Sequence, residues 1–365
     1  MGKLSRELAK GDVMQGLRRS ITWAFWLLFP CAHAATHTLK EMRLQAIEQT
    51  DSAVILQLEG SARLEVRAMA DDVLRVWFSP SGALKAPRSV SVLDEDGISR
   101  GLHVEDEDQV IRISTAKIEL RVQKSPIRLD YYERGSGRWI TGESRREGLG
   151  WRDDGTVALE HELGTSEHIY GLGEDNEGFL GHLDRRGTRR DMWTGQQIRK
   201  GRVTSDIPIN FFMSTGNSAG GYGMFFDNSY HTVYDLGASD PGLWSWRADG
   251  GEALYYFIYG PSFPHILDRY TALSGRPLMP PLWALGFIQS KCCYWDWNEI
   301  DSVAREMSQR QIPFDVLVID YNWSQVPMDF QCAQRWGSPA AVASKLSAYE
   351  TQGRRFLLST AGPMI

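Results

Sequence analysis

The sequence is short of cysteine. It holds four in 365 residues: Cys31, the adjacent pair Cys292 and Cys293, and Cys332. Adjacent cysteines do not have the spacing of a zinc site. His161, His168 and His182 show no metal spacing either, and no cofactor-binding motif occurs, so neither metal nor cofactor is expected. An excess of positive charge is missing too. The formal net charge of −6 argues against nucleic acid or an anionic membrane as partner. No segment repeats at a fixed period, and no low-complexity linker divides the chain. The apolar run Ile21 to Phe29 is too short for a permanent membrane anchor.

What remains is the composition of an ordinary globular protein, 42% hydrophobic and 24% charged, at a length that suits two domains. Thirteen Trp and thirteen Tyr exceed what packing requires. Such rings bind flat apolar faces such as those of sugars, although large β-rich cores use them as well.

The N-terminus carries an address. Arg18 and Arg19 precede the short apolar run, and Ala32-His33-Ala34 follows it. This order reads as a secretory signal peptide over residues 1–34, cleaved after Ala34, with an exported product, periplasmic or extracellular. Residues 1–34 hold five Lys/Arg and two Asp/Glu, so their removal takes the net charge from −6 to −9. In an oxidising compartment Cys332 can pair with Cys292 or Cys293, or all three can remain reduced thiols.

Residues 35 to about 275 read as all-β. "RLEVRAMADDVLRVWFSP" alternates, turns at Asp71-Asp72 and alternates again, a hairpin pattern. "VIRISTAKIELRVQKSPIRLDYYERGSGRWI" gives further short strands with Gly135-Ser136-Gly137 as a turn. "INFFMSTGNSAGGYGMFFDNSYHTVYDLG" gives two apolar strands joined by a Gly/Asn/Ser loop. Repeated strands and turns indicate a β-sandwich.

The grammar then changes. A Pro-rich run leads into an expected strand from Trp283 to Ile288. Asp296 and Glu299 form a capping-box pattern, and Ile300, Val303, Ala304 and Met307 make one helical stripe. The strand Val316–Ile319 follows. Ser338-Pro339 opens a second helix with Val342, Leu346 and Tyr349 on one face, ended by Gly353. "RFLLST" is a third strand. Strand, helix, strand, helix, strand is the grammar of parallel βαβ units. Asp320 sits at the carboxyl end of its strand, where α/β proteins gather their chemistry; a carboxylate capping the next turn is the plainer reading.

Several blocks, in order, resemble glycoside hydrolase family 31, the retaining α-glycosidases that include α-glucosidases and α-xylosidases. They are "IYGLGEDNEGF", "GYGMFFDNSY", "SGRPLMPPLWALGFIQSK" and "IPFDVLVIDYNW". The third block, with its Pro-Pro-x-Trp-Ala-Leu-Gly core, is the specific one. The resemblance implies a mutarotase-like β-sandwich, residues 35–276, followed by a (β/α)8 barrel beginning at residue 277. A barrel takes roughly 250 residues. Only 365 − 276 = 89 residues follow Arg276, enough for about three strands.

Retaining glycosidases work with two carboxyl groups about 5 Å apart. In this family both are aspartates on later barrel strands, the nucleophile within a W-x-D-x-x-E-like motif. No such motif occurs here, so no catalytic residue is assigned and the chain alone is expected to be inactive. The resemblance places Asp320 as the aspartate that hydrogen-bonds sugar hydroxyls, with Tyr321 as a wall residue beside it and Ile365 lining the same subsite. A sandwich loop that reaches the barrel mouth corresponds to "MWTGQQ", giving Trp193 and Gln196, the latter where the family often has an aspartate. The implied partner is an α-linked oligosaccharide or glycoside. The alternatives are a non-catalytic carbohydrate-binding fragment or an inactive remnant. Glu174 and Asp175 are expected to be turn or structural residues, and "LDRRGTRRD" a solvated loop.

Overall fold

Alternation becomes strand wherever it was read in the first 260 residues. Arg63–Ala70 and Val73–Ser79 pair antiparallel across the Asp71-Asp72 turn. Ile118–Lys124 and Ile127–Glu133 pair likewise, as do Phe211–Asn217 and Gly220–Phe226. The computed structural model describes residues 39–84, 89–93, 101–175, 183–192, 205–217, 219–326 and 330–359. Two compact units divide it at Tyr270/Thr271.

The first unit is built on three antiparallel sheets. The largest has eight strands in the spatial order Leu44–Gln49, Val54–Leu58, Arg63–Ala70, Val73–Ser79, Ala253–Gly260, Gly220–Phe226, Phe211–Asn217 and His168–Gly171. A five-stranded sheet centred on Val157–Glu162, Leu243–Ala248 and Thr232–Leu236 faces it, and a second five-stranded sheet runs from His103 to Gly142. One continuous apolar core joins them. Aromatic rings fill its middle. Trp246 stacks on Phe226 at 4.6 Å between centroids, Tyr131 stacks on Phe257 at 4.0 Å, and Trp244 donates to the Tyr222 hydroxyl at 3.1 Å. Buried stacked pairs of this kind add to the stabilisation that area burial supplies.

Glu143 and His161 are among the titratable groups buried in this unit. Glu143 is 1% exposed, and its Oε2 accepts from the Leu149 amide at 3.2 Å. Its other oxygen has no hydrogen-bond partner among the described residues. Burial pushes its carboxyl up to about 8. His161 pairs with the Glu143 backbone in an antiparallel bridge and is fully buried against Thr141 Oγ1 at 3.1 Å. Burial pushes its imidazole down to about 3. Desolvation penalises the charged form of each, which explains the opposite directions.

A helix, Phe263–Ser274, ends the first unit, where the sequence reading had only strands. Its buried Ile266 and the stacking of Tyr270 on Phe211 at 3.9 Å seat it on the sheet. Asp72, 1% exposed, receives ion pairs from Lys117, His265 and Arg269 at 2.8, 2.9 and 2.9 Å. Burial pushes its carboxyl up, but the hydrogen bonds from Lys117, His265 and Arg269 outweigh that and hold it below its usual value. The run "LDRRGTRRD" is not a solvated loop. Thr188–Met192 is a strand paired with Thr232–Leu236, and Arg190 is buried. Arg186 donates to the carbonyls of Gly164, Glu167 and Pro241. Exposed carbonyls nearby gave these guanidinium groups partners that a charge count does not reveal. Glu174–Asp175 is a short strand pairing with Ser205–Ile207.

The second unit is a three-stranded parallel sheet with two helices: β1 (Ile288–Gln289), α1 (Trp297–Gln309), β2 (Val316–Ile319), α2 (Pro339–Glu350) and β3 (Arg355–Leu358). β2 lies between β1 and β3 and is buried along its whole length. The expected strand from Trp283 shrinks to two residues, because Leu282–Leu285 forms a 3-10 turn. Pro280 and Pro281 cannot donate to a ladder, and Gly286 lies so close to Asp315 that a Cβ there would sit 1.9 Å from its carboxylate.

Both helices start where their caps predict. Asp296 accepts from the Glu299 amide at 3.0 Å, while the Glu299 carboxylate reaches Trp295 N at 2.9 Å instead of the cap residue itself. Ile300, Ala304 and Met307 face the core. Ser338 accepts from the Ala341 amide at 3.3 Å, with Pro339 in the first turn. Asp296→Ala is expected to cost about 1 kcal/mol, read as a lower urea midpoint for the second unit. An unchanged midpoint would mean that the Glu299 arm alone secures the helix. Among the described residues no helix is long and apolar enough to cross a membrane.

Candidate functional site

β2 is apolar because the sheet buries it, and it ends when the chain reaches the rim. Asp320 follows directly, with extended backbone, and caps a 3-10 turn over Tyr321–Trp323. Its carboxylate accepts from the Tyr321 amide at 2.8 Å. Both readings of Asp320 therefore meet: one oxygen holds the turn, and the half-buried carboxylate still has acceptor capacity free.

Beside it lies a cleft of about 540 Å³ lined by Lys291, Cys292, Cys293, Trp295, Tyr321 and Arg335. Trp295 is 64% and Tyr321 44% exposed. The loops are held by backbone-directed bonds. Asn322 Nδ2 donates to Tyr294 O at 2.5 Å, and Trp323 Nε1 donates to Ser359 O at 2.8 Å. Arg335 donates to Asn322 O at 2.5 Å and lies over the Trp295 ring, 5.5 Å from its centroid. Lys291 pairs with Glu299, which holds its ammonium above the usual value.

Cys292 and Cys293 point their sulfurs together at 2.9 Å. Their ligand atoms and that of Asp320 all lie within 4.8 Å of one another, the one such potential metal group among the described residues. Cys292 is pushed up to about 11, first by its hydrogen bond to Cys293, then by desolvation and by Asp320. Tyr321 is raised, chiefly through Cys293. Cys332 is a free thiol. Chemically the cleft offers two exposed aromatic faces and cationic donors, with the Asp320 carboxylate beside it. That set recognises polyhydroxylated rings.

Of the expected site residues, Tyr321 lines this cleft, and Asp320 lies beside it, within 4.8 Å of the Cys292 and Cys293 sulfurs. Trp193, Gln196 and Ile365 lie outside the described residues, as do residues 1–34 and His182. Lys291, Trp295 and Arg335 were not singled out from sequence, although "KCCYWDW" directly after a barrel strand is itself a signal.

A model of the glycosyl hydrolase 31 N-terminal galactose mutarotase-like domain matches residues 63–235. A model of the glycosyl hydrolases family 31 TIM-barrel domain matches residues 277–361. The chain belongs to glycoside hydrolase family 31. Its fold is the mutarotase-like sandwich of that family followed by part of its barrel. An α-glucosidase of Bacillus thermoamyloliquefaciens is 31% identical over 265 residues, 71% of this chain and 32% of that protein. An α-xylosidase of Saccharolobus solfataricus is 28% identical over 282 residues, 74% of this chain and 37% of that protein. Among solved structures, a family 31 dextranase of Flavobacterium johnsoniae in complex with glucose superposes with a TM-score of 0.77 at 27% identity, covering 87% of this chain and 38% of the dextranase. A point mutant of that dextranase was solved with isomaltotriose. The chain spans about a third of the length of the two curated relatives.

Proposed function

We propose that this chain is the N-terminal part of an exported retaining α-glycosidase, and that its own contribution to that activity is to hold a sugar ring at the rim of β1, β2 and β3. The observation that carries the reading is Asp320, emerging from a buried strand beside a cleft walled by Tyr321 and Trp295. Asp320 accepts two sugar hydroxyls, each bond strengthened by its charge. Tyr321 closes one side, and Trp295 offers its open face to the apolar side of the ring. The family resemblance adds Trp193 and Gln196 of the sandwich domain, residues 35–276, and Ile365 of the barrel part, residues 277–365, as candidate substrate-binding residues. The leader over residues 1–34 directs export. The substrate class is an α-linked oligosaccharide or glycoside, supported by the activities named for the relatives.

The nucleophile and the acid/base aspartate are not among these residues, so the chain supplies recognition without bond cleavage. The purified 365-residue protein is expected to bind isomaltotriose while showing no turnover of aryl α-glucosides or α-xylosides. Turnover that survives Asp320→Asn would overturn both the recognition role and the assignment of Asp320.

A further inference from the structure

The pair Cys292–Cys293 has no part in the reading above, yet it occupies the wall of the same cleft. We propose that the two residues form a thiol–disulfide modification site: an exposed vicinal dithiol that small-molecule disulfides oxidise to an intramolecular Cys292–Cys293 disulfide. The geometry carries this. The sulfurs stand 2.9 Å apart, and a disulfide needs roughly 2.05 Å, so closure asks for a movement of less than about 1 Å. Cys292 is exposed and Cys293 partly so, and both line a cleft of about 540 Å³ that admits a reagent. Cys332, the other described cysteine, is tied into a backbone bridge with Ser324.

The chemistry balances with the reagent as oxidant. One thiolate of the pair attacks a sulfur of the reagent disulfide, forms a mixed disulfide and expels one thiolate. The second cysteine, deprotonated, attacks the protein sulfur of that mixed disulfide and expels the other thiolate. Two electrons pass from the protein sulfurs to the reagent, and the two protons end on the reagent's thiols. The hydrogen bond to Cys293, then desolvation and Asp320, hold the Cys292 thiol above its usual value, so the exchange runs faster under alkaline conditions.

Closure removes the thiol hydrogens that face Asp320 and Tyr321 and leaves a flat sulfur surface on the cleft wall. The modification itself does not depend on what the cleft binds. The test therefore uses mass and no sugar. The full chain carrying Cys332→Ser is treated with oxidised glutathione at alkaline pH and digested. The peptide holding both cysteines is expected to lose two hydrogens, to resist alkylation and to recover both properties with dithiothreitol. With Cys293→Ser added, the same treatment is expected to leave a glutathione adduct on Cys292, because no second thiol resolves it. Full alkylation of the pair after treatment, or stable glutathione adducts on both cysteines without ring closure, would overturn the proposal.

Discussion

Asp320→Asn is expected to weaken isomaltotriose binding by 10- to 100-fold while leaving the unfolding midpoint unchanged. The substitution is chosen to separate the two tasks of the side chain. An asparagine oxygen still accepts from the Tyr321 amide, the 2.8 Å bond that holds the turn after β2, so the rim keeps its shape. What disappears is the charge. Hydrogen bonds to a charged group contribute about 1.5–3 kcal/mol each, against about 1 for neutral ones. Losing that increment on two hydroxyl contacts corresponds to roughly one to two decades in dissociation constant. Titration of both proteins with isomaltotriose, followed by NMR shifts, measures the ratio directly. Equal affinities would reduce Asp320 to a turn residue. A drop in affinity accompanied by an equal drop in stability would show that the asparagine failed to hold the turn.

The pH dependence of the sandwich should be of similar size, and two fully buried groups contribute to it with opposite sign. Glu143 titrates at about 8 in the folded protein against 4.5 when exposed. Its folded value is raised, so the stability it permits is complete below pH 4.5 and is lost as pH climbs toward 8. His161 titrates at about 3 against 6.5 when exposed. Its folded value is depressed, so its contribution is complete above pH 6.5 and is lost as pH falls toward 3. Each shift corresponds to about 5 kcal/mol over its whole range. Between pH 4.5 and 6.5 the two slopes have opposite sign and cancel, leaving a plateau. Of these two groups only Glu143 still changes above pH 6.5, and its own contribution falls by about 2 kcal/mol up to pH 8. Glu143→Gln keeps an acceptor for the Leu149 amide and has nothing to ionise, so its urea midpoint should fall less than that of the wild type across that alkaline limb. His161→Phe should do the same on the acid side. A wild-type midpoint that does not fall between pH 6.5 and 8 would show that Glu143 finds a compensating partner when ionised.

Local signals were readable because they rest on residues that act alone. Asp71-Asp72 can only be a turn between two alternating runs, and it is. Asp296, Ser338 and Pro339 declare helix starts through their own side chains. Val316–Ile319 is apolar without alternation, as a strand covered on both faces must be. The failures have a different origin. The segment from Trp283 is apolar, but the two prolines before it and the close approach of Gly286 to Asp315 decide its shape. The helix Phe263–Ser274 offers only Ile266 to the core, too little periodicity to stand out after a long succession of strands. Arg190 reads as a surface charge until the sheet closes over it. The site divides the same way. Asp320 is visible from its place at a strand end, whereas Arg335 reaches the cleft through a contact with Trp295 that lies forty residues earlier and that no spacing rule encodes.

The order of the large sheet has a consequence for how the chain is made. Val73–Ser79, among the first strands to leave the ribosome, takes Ala253–Gly260 as its neighbour. The side chains follow suit, with Trp77 donating to Glu252 across 175 residues. Until that late strand emerges, the early hairpins hold an unpaired edge and half a core. The sandwich is therefore a structure that must wait during synthesis, and the interval before residue 260 appears is when its exposed strands most need protection from one another.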